Sequence, residues 1–138
     1  MTIPSPRSRA HALWFILPAV LVAVADATIT LYIQPSTYWL GLFSTAAENN
    51  PLGAFFLRLH PLAFIGFMFI WVSLIVALGL CLRQPWSTVA SLTVLLGHTA
   101  GIFGTLKRFG FVAALTTFLL VALITTFCWR RAGTCAQT

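Results

Sequence analysis

The chain has 138 residues, of which 59% are hydrophobic and only 7% charged, and its mean hydropathy is +0.95. A soluble surface is normally about a quarter charged or more, so this composition excludes a water-soluble globular domain and makes lipid the main solvent. At about 20 residues per crossing there is length for four spans, short loops and no second, soluble domain. The expected fold is therefore all-α: a polytopic membrane protein built as a four-transmembrane-helix bundle.

Net charge is +6, from eight Lys or Arg against two acids, Asp26 and Glu48. The bases Arg7, Arg9, Arg58, Arg83, Lys107, Arg108, Arg130 and Arg131 stand at the ends of apolar runs. That is where charges set topology and meet anionic headgroups. A nucleic-acid binder instead carries a continuous basic face. The expected partners are the lipid bilayer, anionic lipid headgroups and a second copy or larger membrane partner, with no nucleic acid. Cys81, Cys128 and Cys135 form no CxxC pair and read as small packing residues.

Residues 1–11 read as a disordered polar leader. The first span is expected at 12–34, within a single membrane domain covering 12–131. A second reading exists for its start: 13–25 has the character of a signal-peptide core, and Ala25-Asp26-Ala27 fits a small-x-small cleavage site. Apolar character continues through Ile29, Leu31 and Ile33, which favours an uncleaved span. Tyr38, Trp39, Leu42 and Phe43 recur at helical spacing and predict a short interfacial helix in the first, outer connection. Asn50 suits an N-cap and Pro51 the first helical position. A helix from Pro51 to Leu82 would be about 48 Å long against a core of about 30 Å. A piece at 51–59, a break near Pro61 and a span at 62–82 are expected instead.

The third span is expected at 86–106 after a tight connection at Arg83-Gln84-Pro85. The fourth is expected at 109–129 after a turn at Lys107-Arg108, with Thr116, Thr117, Thr125 and Thr126 bonding back to their own helix. Residues 132–138 read as a tail. With the N-terminus inside, the inner flanks carry Arg7, Arg9, Arg83, Arg130 and Arg131, and the outer flanks Arg58, Lys107 and Arg108. This five-to-three bias favours cytoplasmic termini, with an inverted or dual orientation as the alternative, and the plasma (inner) membrane is the expected location.

The polar residues inside the spans carry the functional reading. On a helical wheel of the third span, Ala90, Thr93, Gly97, Gly101 and Gly104 fall within about 40° of one line. Ser87, Ser91, His98 and Thr105 fall beside it, and Leu95, Ile102 and the other large apolar residues take the rest. Gly97, Gly101 and Gly104 are expected to serve close helix packing, as a GxxxG does. In the first span Ala12, Ala19, Ala23, Asp26 and Thr30 share a face. A carboxyl near the bilayer centre costs about 2.5–3.5 kcal/mol on insertion scales, so Asp26 needs a partner, water or a proton. Asp26 lies about 21 Å along its span and His98 about 18 Å along its own, leaving from the same side. The two are expected to face each other in the outer half of the bundle.

Glu48, Asn49, Asn50 and His60 occupy the outer connection toward which Asp26 and Thr30 lead. Asp26, His98, Glu48, Asn50, His60 and Thr30 are thus candidates for one outward-opening polar, proton or ligand site. Two His and two carboxylates have zinc-compatible chemistry, but neither HExxH nor paired His on one turn is present. No metal site and no cofactor are assigned, and the residues show no Ser-His-Asp, phosphate-loop or CxxCH signature.

The leading expectation is a non-enzymatic membrane bundle or accessory subunit with a buried Asp/His cluster. One acid in the first of four short spans is similar in architecture to the small multidrug transporters, which work as dimers. That resemblance rests on span count and one carboxyl, and departs in having Asp26 rather than a Glu. It implies a proton-coupled transporter using Asp26. A metal-dependent membrane enzyme is the third reading.

Overall fold

A computed structural model describes residues 6–82, 85–106 and 109–137. In chain order the elements are α1 (Pro6–Tyr32), α2 (Ser36–Trp39), a 3-10 turn (Phe43–Thr45), α3 (Pro51–Leu59), α4 (Pro61–Cys81), α5 (Trp86–Leu106) and α6 (Phe111–Gln137). Among the described residues there is no strand. Four segments are long and apolar enough to cross a membrane: His11–Tyr32, Pro61–Cys81, Trp86–Leu106 and Phe111–Gly133. The chain is an all-α four-helix bundle and a multi-pass membrane protein.

The hub is α1, which packs against α4, α5 and α6. Ile16, Ala19, Val22 and Ala23 of α1 form the main core with Ile75 of α4 and Leu95 and Ile102 of α5. Small residues at 19 and 23 let neighbouring backbones approach, which is how membrane helices gain dispersion contacts without a hydrophobic drive. The tightest approach is elsewhere, at Gly79 of α4, where any Cβ would overlap the Ile16 side chain. Ser87 Oγ donates to the Gly79 carbonyl over 3.0 Å and ties the start of α5 to the end of α4. Helix α1 is unbroken across Ala25-Asp26-Ala27, with buried residues on both sides of that tripeptide.

Several expectations are corrected at the ends. Residues 6–11 are not a loose leader but the first turns of α1, which Pro6 can begin because the first helical N–H has no partner to lose. Residues 1–5 lie outside the described residues. The fourth span starts at Phe111 rather than 109, since Gly110 has φ +107 and cannot be helical. It does not stop at Arg130-Arg131, and the supposed tail continues α6 to Gln137. The extra turns of α1 and α6 brace one another, the His11 ring donating from Nδ1 to the Ala132 carbonyl at 2.9 Å, and just inside them Phe15 stacks on Trp129 at 5.2 Å. The turns expected at Arg83-Gln84 and Lys107-Arg108 lie outside the described residues. Thr116, Thr117, Thr125 and Thr126 each donate to the carbonyl four residues back.

The long connection differs from an interfacial helix with all its aromatics at the headgroups. Helix α2 is one turn long, and Tyr38 is fully buried in a second core with Leu57 and Phe64. Its hydroxyl donates to the Leu57 carbonyl over 3.1 Å, giving the buried phenol the partner it needs. Trp39 and Leu42 remain exposed. Asn50 caps α3 by accepting from the Leu52 amide at 3.0 Å, with Pro51 following it. The break falls at His60, whose backbone is extended, and α4 begins at Pro61.

Candidate functional site

His98 projects from the middle of α5 toward α1 and α4. Its Nδ1 lies 2.8 Å from Asp26 Oδ2. On its other side, Trp71 Nε1–H of α4 donates to His98 Nε2 over 3.0 Å. An indole nitrogen can only donate, so Nε2 must be the unprotonated acceptor and Nδ1 must carry the proton. The Asp26 oxygen therefore accepts, and the arrangement is an Nδ1–H imidazole held between the Asp26 carboxyl and an indole. His98 and Asp26 keep 17% and 21% of their side-chain surface exposed, so the pair is not sealed in protein.

What it reaches is a cleft of about 630 Å³. Phe64, Phe67, Met68 and Trp71 of α4 form one wall, and Thr93, Gly97, Gly101, Gly104 and Thr105 of α5 the other. Asp26, Ala27 and Thr30 of α1 lie at the back, and Glu48, Asn49 and Asn50 roof the end nearest the long connection. The glycine line therefore faces the cleft. An added Cβ at Gly97 or Gly104 would meet nothing within 4 Å, so these two do not serve helix packing within this chain. At Gly101 a Cβ would lie 3.2 Å from Asp26 Oδ2, so this glycine makes room for the carboxylate. The face of α5 turned into the protein runs instead through Ser87, Ser91, Leu95 and Ile102. Leu95 and Ile102, which the wheel sets apart from the small-residue line and the polar strip, are the large side chains on this inward face. The inward face of α5 thus mixes two small polar residues with two large apolar ones, and the glycines fall to the cleft.

The roof is tied down from α1. Glu48 Oε1 accepts from the Asn50 amide at 2.6 Å, and Oε2 accepts from the Thr30 hydroxyl at 3.3 Å. Buried Gln34 donates to the carbonyls of Thr30 at 2.7 Å and Ala47 at 3.3 Å, and accepts from the Ala47 amide at 2.8 Å. Asp26, His98, Thr30, Glu48 and Asn50 thus share one cleft. His60 does not join them: its Nδ1 accepts from the Leu62 amide at 3.1 Å, and its ring packs edge-on against Phe43. A cap is what a polar side chain beside Pro61 can do for the exposed amides of α4. Two members were missed in the sequence, Trp71 and Gln34. Trp71 had a signal, because an indole N–H inside an apolar run must find a partner; Gln34, at the end of its run before Pro35, had none beyond its polarity.

Among the described residues, no three His, Cys, Asp or Glu side chains come together so as to hold a metal ion. Compared with known proteins, the chain matches no family model, no curated protein and no solved structure. The fold and the cleft define its class by themselves: a four-span membrane protein with a partly open cleft among its spans, largely apolar with a few polar groups.

Proposed function

We propose that this protein is a non-enzymatic, membrane-embedded binding protein that takes a small ligand into the cleft between α1, α4 and α5. The end carrying α2 and α3 faces the outside of the plasma membrane. The observation that carries this reading is that the Asp26–His98 pair opens into a 630 Å³ cleft rather than being packed over. That size falls within the usual range of about 300–1,000 Å³ for small-molecule sites, and the lining has the usual character of apolar walls with a few convergent polar groups. Intramembrane ionisable groups facing a cavity are the ones that meet substrates, ions or protons. A catalytic role is less well supported, because His98 Nε2, the atom a general base would offer, is already engaged by Trp71.

The test is access. With Cys81, Cys128 and Cys135 replaced, Gly97→Cys places a thiol in the cleft and Leu123→Cys places one on the exposed apolar face of α6. A charged, membrane-impermeant methanethiosulfonate added to the outer side of intact cells should modify the first and not the second. An unreactive Gly97→Cys that labels once the protein is denatured overturns the open cleft. Reaction only from the cytoplasmic side overturns the orientation.

A further inference from the structure

Resting on that reading of the cleft, we infer that its ligand is a protonated primary or secondary amine with an apolar, ring-bearing body. The first argument is charge. Asp26 and Glu48 line the cleft, and among its described lining residues there is no Lys or Arg, although the whole chain carries +6. His98 brings no positive charge, because Trp71 requires its Nε2 to be an acceptor. Arg58 shares an adjoining hollow with Glu48 and does not line the cleft. Asp26 is therefore the acidic group at the back of a cleft with no base among its described lining residues, so a cationic ligand is the partner that would complete it.

The second argument is geometry. Asp26 Oδ2 is used by His98. The other carboxyl oxygen, Oδ1, has no hydrogen-bond partner among the described residues and lies against Gly101, where a Cβ would stand 3.3 Å from it. An N–H donor completes that oxygen, which a quaternary nitrogen cannot do. The third argument is the opposite wall. Half-buried Phe67 and Trp71 offer ring surface to an apolar body and attract a cation, while buried Phe64 backs them. A simple metal cation would leave that wall unused.

The experiment compares 3-phenylpropylammonium with its N,N,N-trimethyl analogue and with uncharged 3-phenylpropanol. Binding to the full chain in nanodiscs is measured by equilibrium dialysis, with empty nanodiscs subtracted. The primary amine should bind at least tenfold tighter than either analogue, a difference of about 1.4 kcal/mol. Asp26→Asn should abolish the preference while keeping the acceptor for His98, and Gly97→Leu should block all three by filling the cleft. Equal binding of amine and alcohol, both lost in Gly97→Leu, overturns the amine and leaves the cleft reading standing. Tenfold preference shared by the trimethyl analogue overturns the hydrogen-bonded amine. If none binds beyond empty nanodiscs the inference fails, and outer-side labelling of Gly97→Cys then decides separately whether the cleft reading survives.

Discussion

Trp71 and His98, on adjacent helices, are joined by one hydrogen bond whose direction is not negotiable: the indole N–H donates to His98 Nε2 over 3.0 Å. The direction propagates. It puts the imidazole proton on Nδ1 and points it at Asp26. In 15N spectra of the protein in micelles, His98 should appear as the neutral Nδ1–H tautomer, and Trp71→Phe should shift the Nε2 resonance as its donor is removed. That variant should lose about 0.5–1.5 kcal/mol of stability, the usual worth of one hydrogen bond. A wild-type His98 protonated at Nε2 contradicts the arrangement.

Asp26 is tested by what replaces it. Asparagine retains an oxygen to accept from His98 Nδ1–H, so Asp26→Asn should unfold thermally close to wild type. Leucine retains none, and the stranded imidazole N–H should cost about 1–3 kcal/mol. Indistinguishable melting of the two variants in the same detergent would mean that the contact contributes nothing to the fold.

Glycines 79 and 97 should behave in opposite ways. A methyl group at Gly79 collides with Ile16, so Gly79→Ala should destabilise by about 1–3 kcal/mol, as overpacking does. The penalty should shrink in an Ile16→Ala background, which a double-mutant cycle reads directly. Gly97→Ala meets no neighbour, and its better helix propensity should leave stability equal or higher. Loss of stability at Gly97 in dilute detergent would restore the packing role expected of the GxxxG.

Tyr38 gives the pH dependence. Burial pushes its phenol above the ordinary value of about 10. The folded state then holds its proton at a pH where the unfolded state has released it. The stability that depends on this proton is full below about pH 10 and is lost as pH rises through the folded value. In a Tyr32→Phe variant, where Tyr38 is the remaining tyrosine, the ultraviolet titration should lie above the ordinary phenol range and fall back to it on unfolding. A titration at the ordinary value in the folded protein would contradict the burial of Tyr38.

The sequence by itself determined the solvent, the number of crossings and the break at His60-Pro61. Each follows from local chemistry: charge-poor composition, runs of about 20 apolar residues, and a stretch from Pro51 to Leu82 too long for one crossing with Pro61 inside it, whereas Pro18 sits within α1 without ending it. It also brought Asp26 and His98 to the same depth, because rise per residue along two helices leaving one side is a local quantity. The tertiary structure decided which faces meet. Helical spacing groups Gly97, Gly101 and Gly104 on one line but is silent on whether that line meets a helix or a void, and the space was taken by Gly79 against Ile16 instead. Trp71 joined the site because an indole N–H in hydrocarbon must be paired, buried Gln34 joined by holding the connection at Ala47, and exposed His60 left it to cap α4; only the packed arrangement determines which partner is within reach.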